Sequence, residues 1–204
     1  MNRFLIIISC VLLTLSSCEK MRIEEKMRSN KSYVSMEIDG LEYKSKVMND
    51  LQYSVASSTQ LFNMYTNSFE LDVQYKMTSN SGKSVLFNIR LKDNEAVQTG
   101  KIYNFPTDSK TLNLYSTAKI TVKDDGIDRF YYAQNGSLVI DEIGQVEDLL
   151  AEEYDMDKTG PTFINATFSF DAYDEVTGKT ISVNNGIFHR TFLTGNGTVE
   201  VSNR

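Results

Sequence analysis

The sequence is poor in the residue types on which common catalytic and metal-binding chemistries depend. Its 204 residues include no tryptophan, two prolines, two cysteines and one histidine, His189. A histidine-ligated zinc site usually needs several imidazoles, and a catalytic triad would have to recruit this single one, so we expect His189 to be a structural residue on a strand. The 21 basic residues are outnumbered by 27 acidic ones, which gives no electrostatic basis for binding nucleic acid. The composition therefore predicts no enzyme, no cofactor and no nucleic-acid partner.

The first 18 residues have the pattern of an export signal. Arg3 precedes an apolar run from Phe4 to Leu13, and small polar residues follow before Cys18. The run would form about 15 Å of helix, about half of what a membrane span needs, so it fits a cleaved signal. The segment Leu15-Ser16-Ser17-Cys18 resembles the bacterial lipobox, in which the cysteine becomes the lipidated first residue. We expect residues 1–17 to be removed and Cys18 to anchor the protein in a membrane.

Both cysteines are accounted for by this N-terminal segment. Cys10 lies in the removed signal and Cys18 would carry lipid, so we expect no disulfide and no cysteine nucleophile in the folded domain. Residues 18–32 form a charged tether after the anchor. Glu19 follows the cysteine, where the enterobacterial sorting pattern that this segment resembles has Asp for retention at the inner membrane. We therefore predict attachment to the outer membrane, with either a periplasmic or a surface orientation.

Beyond the tether, apolar residues recur with a period of two, which is typical of strands that are half-buried in a sheet. The first such segment alternates up to Ile38, crosses Asp39-Gly40 and resumes at Leu41. A two-residue turn at Asp39-Gly40 would place Ile38 opposite Leu41 and Glu37 opposite Glu42. The segment therefore predicts a hairpin whose two apolar sets share one face.

Further strands follow with the same period. Residues 69–77 and 85–91 alternate on either side of the turn 79–83, which predicts a second hairpin. The pairs most typical of tight turns then recur at Asp125-Gly126, Asn135-Gly136 and Asn185-Gly186. We expect these pairs to separate short strands.

The pattern predicts an all-β fold in a single domain, residues 33–204. Its 41% of hydrophobic and 24% of charged residues are ordinary values for a globular chain. We expect an antiparallel β-sandwich, with an up-and-down, lipocalin-like β-barrel as the alternative. One segment departs from the period of two, because Val146, Leu149, Leu150 and Tyr154 recur at helical spacing. This spacing predicts one short helix near residues 145–155.

The glycine-punctuated segments resemble a group of uncharacterised outer-membrane lipoproteins of Bacteroidetes. The segments are TGKIYNF (99–105), NGSLVIDEI (135–143) and ATFSFDAYDEVTGKTISVNNGIF (166–188). They share the Gly-x-x-Tyr, Gly-x-Leu-x-Ile and closing Gly-x-Phe patterns of that group, whereas Asn165-Ala166 stands where its Gly-x-Phe-x-Phe strand has glycine. The resemblance covers residues 33–192. It implies an antiparallel β-sandwich on a lipid anchor and supplies no known activity or catalytic residue.

An acidic segment copies part of a calcium-binding loop. Asp155, Asp157 and Thr159 provide oxygen ligands at positions one, three and five, and Gly160 stands at position six. Position twelve is Ala166, where a bidentate Glu is needed, so the full loop is rejected. The pattern leaves a weak calcium site at the three oxygen ligands and predicts no resident metal.

Three consecutive aromatic residues form the candidate binding surface. Phe130, Tyr131 and Tyr132 follow Arg129 without alternation between polar and apolar types, so at least one large ring must face outward or into a second layer. The lack of tryptophan weakens a carbohydrate-binding interpretation without removing it.

Together these features predict a lipid-anchored cell-envelope protein that is a non-catalytic module for binding a ligand or partner. The partner would be a small ligand, a glycan or an envelope protein, and the membrane contact would be made through Cys18. The alternatives are a glycan-binding accessory lipoprotein, which needs an exposed aromatic groove, and an adhesin or fimbria-related subunit, which needs an open sheet edge.

Overall fold

The computed structural model describes residues 31–49, 58–63, 68–95, 97–106, 116–124, 126–147 and 159–193. Cys18 and the predicted signal and tether lie outside these ranges, apart from the tether's last two residues, which begin the first strand. Every regular element in the described ranges is a strand. The strands are β1 (Lys31–Ile38), β2 (Leu41–Ser45), β3 (Met48–Asn49), β4 (Ser58–Asn63), β5 (Ser68–Ser79), β6 (Ser84–Asp93), β7 (Ile102–Asn104), β8 (Thr117–Asp124), β9 (Ile127–Glu147), β10 (Thr159–Asp174) and β11 (Lys179–Leu193).

Eight of the described strands form a closed antiparallel barrel. Their order around the wall is β1-β2-β5-β6-β8-β9-β10-β11, and β11 pairs with β1 to close the ring. Each barrel strand is hydrogen-bonded to the barrel strand that follows it in the chain, which is an up-and-down order. The short strands β3, β4 and β7 add to this wall beside β1, β5 and β9.

The predicted all-β antiparallel class is confirmed, but the expected β-sandwich is wrong, and the barrel alternative is the observed architecture. A sandwich needs two separate sheets, whereas β10 pairs with β9 on one side and with β11 on the other. The three strands have 21, 16 and 15 residues and are bent by β-bulges where the register shifts, for example between Phe168 and Phe170. Bulges increase local twist and let a long sheet curl until its edges meet.

The helix predicted near residues 145–155 is wrong at its start. Residues 145–147 extend β9, because Gln145 pairs with Thr162 and Glu147 pairs with Thr159. Strand pairing with β10 thus overrides the helical spacing of the apolar residues there. Residues 148–155 lie outside the described residues.

Of the three later residue pairs that predict tight turns, one is confirmed as a turn and two are not. Gly126 has a φ of 81° and follows β8, and Asp124 pairs with Ile127, so the turn predicted at this point is confirmed. Asn135-Gly136 and Asn185-Gly186 instead lie inside β9 and β11, so the turns expected there are wrong. Asn185 has a φ of 51° at a shift of register, where a bulge needs the same left-handed backbone as a tight turn.

Both predicted hairpins are confirmed, the first also in its predicted register. Ile38 pairs with Leu41 and Glu37 with Glu42 across a turn in which Asp39 has a φ of 50° and Gly40 a φ of 79°. Those two positive values match the turn type that suits a two-residue hairpin. The second hairpin joins β5 to β6 through the turn at 79–83.

Inward-facing residues fill the barrel, and phenylalanine rings occupy its centre. The ring of Phe87 on β6 lies 5.1 Å from that of Phe168 and 6.1 Å from that of Phe188, measured between centroids. Phe105, which follows β7, meets Phe170 edge-on at 5.5 Å. Three strands, β6, β10 and β11, and the β7 segment thus converge on one aromatic cluster, which is fully buried or nearly so.

Three glycines make room for the phenylalanines of β10. Gly186 on β11 pairs with Phe168, and on β9 Gly136 pairs with Phe170. Gly144 pairs with Phe163 in the same way. A Cβ atom on Gly186 or Gly144 would overlap the ring of its partner, and one on Gly136 would overlap the backbone beside Phe170. The glycines that punctuate the sequence therefore serve ring packing inside long strands.

Replacing Gly186 by alanine (G186A) is expected to lower the free energy of unfolding by about 1–3 kcal/mol, because the added methyl group forces the Phe168 ring to move. The backbone of Gly186 lies outside the left-handed region, so alanine itself fits there. Urea unfolding followed by circular dichroism measures the loss. In a Phe168→Leu background the same change should cost less, and an equal cost in both backgrounds would show that the ring contact is not its cause.

Candidate functional site

The three aromatic residues singled out in the sequence lie on two faces of β9. Phe130 points outward with 44% of its surface exposed, whereas Tyr131 points into the barrel and is 9% exposed. Tyr132 returns to the outer side and is half-buried. Strand alternation thus places Phe130 and Tyr132 together and separates Tyr131 from them.

Neighbouring strands complete an apolar surface around the two outward rings. Tyr173 on β10 pairs directly with Tyr132, and Thr121 on β8 pairs with both Phe130 and Leu86 of β6. Leu86 is 36% exposed. We call the outward set Leu86, Phe130, Tyr132 and Tyr173 the aromatic face.

Leu86 and Tyr173 were missed in the sequence, although part of the signal was present. A two-residue turn at Asp125-Gly126 places Asp124 opposite Ile127 and, five residues further from the turn, Lys119 opposite Tyr132. The register of β8 with β9 was therefore readable. The partners on β6 and β10 were not, because their pairing depends on longer connections.

Lysine side chains surround the aromatic face. Lys119 pairs with Tyr132, and its Nζ lies 5.6 Å from the centroid of the Phe130 ring. Lys76 pairs with Leu86, and Lys123 lies two residues beyond Thr121 on the same side of β8. Cations placed beside rings attract anions and also interact with the ring faces.

Tyr131 lies inside the barrel, near the end that carries the turn between β10 and β11. Burial raises the pKa of its hydroxyl, and the charges of Asp174 and Asp124 raise it further against the opposing effect of Arg129. Asp174 forms hydrogen bonds within its own turn. Its carboxylate accepts them from the Val176 N–H (2.9 Å) and the Thr177 hydroxyl (2.6 Å). The acid therefore caps the turn between β10 and β11.

A second charged group ties the β7 segment to the wall. Asp93 at the end of β6 accepts a hydrogen bond of 3.1 Å from the Tyr103 hydroxyl and forms an ion pair with Lys101. Burial raises the pKa of Asp93, but the hydrogen bonds from Lys101 and Tyr103 outweigh this effect and leave the pKa lowered. The pKa of Tyr103 is raised by burial and by the same carboxylate. This contact serves to hold Tyr103 in the core.

His189 packs against aromatic and cationic neighbours on the outer side of β11. Its ring centroid lies 4.9 Å from that of Tyr33, and Lys44 Nζ lies 4.0 Å from the same Tyr33 ring. Burial lowers the pKa of His189, and the charges of Arg190 and Lys44 lower it further against the opposing effect of Glu142. The folded protein thus favours the neutral imidazole.

The remaining candidate residues fall largely outside the described ranges. Cys18, Asp155 and Asp157 lie outside the described residues, whereas Thr159 is the first residue of β10. Within the described ranges no cluster of three or more His, Cys, Asp or Glu side chains is arranged to hold a metal ion. The same part of the chain contains no helix with the length and apolar character of a membrane span.

Comparisons of the chain with models of protein families, with curated proteins and with solved structures found no match. The resemblance to Bacteroidetes lipoproteins, the lipid anchor and the binding role therefore stay predictions.

The free energy of unfolding is expected to fall as the pH drops below about 6.5, the ordinary pKa of histidine, because the unfolded chain takes up the proton of His189 first. The fall should continue to the lower pKa of the folded state and then cease. Urea unfolding between pH 7.5 and pH 5 on the wild type and on His189→Gln isolates this contribution, since the carboxylates are common to both. Identical pH dependence in the two proteins would contradict the prediction.

Proposed function

We propose that this chain is a lipid-anchored protein of the bacterial cell envelope, held at the outer membrane through Cys18. It is a non-catalytic module that binds a ligand or partner with the aromatic face. The observation that supports this proposal is Phe130, which exposes 44% of its surface on a barrel wall beside Leu86 and two tyrosines. Apolar surface that a fold leaves in water next to polar residues is typical of interaction sites.

The interior of the barrel favours binding on the outer wall. Barrels that carry a ligand inside need a cavity lined by side chains. Here the Phe87, Phe168 and Phe188 rings contact one another across the centre. We therefore extend the proposal to a barrel that is lipocalin-like in its up-and-down strand order and that uses its outer surface for recognition.

The adhesin alternative finds less support. Strand addition needs a long unpaired edge. The described strands that pair on one side only are β3, β4 and β7, which have two, six and three residues. The wall of the barrel offers a larger surface than these short edges.

The anchor is tested with Cys18→Ala in the full-length chain, expressed in a bacterium fed with labelled fatty acid. The wild type should incorporate the label and sediment with membranes, and Cys18→Ala should lose the label and remain in the soluble fraction or unprocessed. Cys10→Ala is the matched control and should behave as the wild type, because Cys10 lies within the apolar run. Retained label in the Cys18 variant would refute the anchor.

The aromatic face is tested by the saturable binding of the purified protein to envelope preparations of its source bacterium. Phe130→Ala should weaken this binding about tenfold, because exposed aromatic anchors supply much of the energy of an interface. Ile102→Ala is the control, since Ile102 is 57% exposed on β7 away from the face. Both variants should unfold at the wild-type temperature. Equal binding by all three proteins would refute the role of the face.

A further inference from the structure

Charges on the outer wall of the barrel are distributed in two zones along β5 and β6. Near the end of the barrel where β5 begins, acids and bases neutralise each other across the strands. Glu70 and Lys92 lie 3.0 Å apart, and Asp72 and Arg90 lie 2.9 Å apart. Asn88 adds a hydrogen bond of 2.7 Å to Asp72. This zone therefore has no net charge to offer a ligand.

The second zone, which contains the aromatic face, differs in how its charged side chains are paired. Lys76 and Lys119 flank it, and within the described strands each stands opposite uncharged residues, namely Leu86 for Lys76 and Asn88 and Tyr132 for Lys119. Lys123, further along β8, stands opposite Asp128. Lys119 instead lies against the Phe130 ring. The whole chain has a net charge of −6, so a surface with two lysines that face no acid is the opposite of what the composition favours.

The combination of groups restricts the chemistry of the occupant. Outward rings on one strand, Phe130 and Tyr132, with Tyr173 beside them, offer flat apolar faces of the kind that sugar rings pack against. The lysines offer charge-assisted hydrogen bonds to carboxylate or sulfate groups. The face is an open part of a barrel wall, which suits an extended polymer.

Other anionic occupants fit less well. Single-stranded nucleic acid also uses rings and lysines, but its binding sites are positively charged grooves that follow the phosphate backbone, whereas this face is an open part of the barrel wall. An anionic membrane surface favours apolar side chains that protrude, whereas Tyr132 and Tyr173 are half-buried in the wall.

We propose that the aromatic face binds an acidic glycan, with sugar rings against Phe130, Tyr132 and Tyr173 and acid groups paired with Lys76 and Lys119. This inference rests on the proposed binding role of the face and names the class of its ligand. Charge selects the acidic polymer, and the rings hold any sugar chain.

The experiment is titration calorimetry of the purified full chain with polygalacturonate and with the fully methyl-esterified form of the same polymer. The acid form should bind and the neutral ester should bind at least about tenfold more weakly, because the ester has no charge for the lysines. The double variant Lys76→Gln/Lys119→Gln should weaken binding of the acid form by a similar factor. Lys31→Gln is the matched control, since Lys31 is exposed on β1, which pairs with none of the strands that carry the face.

Each other outcome overturns the inference. Equal affinity for the two polymers, or an equal effect of Lys31→Gln, removes the role of the face lysines. Tighter binding to an oligo-dT strand or to phosphatidylglycerol vesicles, tested in parallel, assigns the face to another class of ligand. If neither polymer binds while Phe130→Ala still weakens binding to envelopes, the glycan inference fails and the proposed function stands. If Phe130→Ala has no effect in either assay, both fail.

Discussion

The barrel depends on the packing of phenylalanine rings of β10 against glycines on the strands beside it. β10 is hydrogen-bonded to β9 and β11 at once, and its rings need room on both sides. Gly186 gives that room to Phe168 in the interior, and Gly144 gives it to Phe163. A larger residue at Gly186 would push the Phe168 ring towards Phe87, so closure of the sheet and filling of its interior are one constraint.

Closure also determines what the outer wall presents. Once the interior takes Tyr131, strand alternation leaves Phe130 and Tyr132 no position except the outside. The pairing of β9 with β10 then brings Tyr173 beside Tyr132, and β8 carries Lys119 into the same surface. The aromatic face is therefore a direct consequence of how the core is packed, and it needs no loop to build it.

The all-β class and the hairpins could be predicted from local signals in the sequence. A two-residue turn determines which residues of its two strands lie opposite each other. Asp39-Gly40 and the residues around it were readable in this way. The choice of barrel over sandwich could not be predicted, because alternating burial is the same in both folds. The barrel closes through a long-range pairing, that of β1 with β11. Asn185-Gly186 misled for a related reason: turns and bulges both use left-handed backbone, and only the partner strand distinguishes them.

The candidate site could be predicted only in part from the sequence, because strand pairing decides which side chains share a face. Four large side chains in a row, from Arg129 to Tyr132, hide the alternation that would assign each ring to a face. The lysines were hidden differently, because sequence counts charges without showing which are neutralised. Asp72 cancels Arg90 across β5 and β6, whereas no acid reaches Lys119 within the described strands. Net charge of the chain therefore says little about a surface whose sign is decided by strand register.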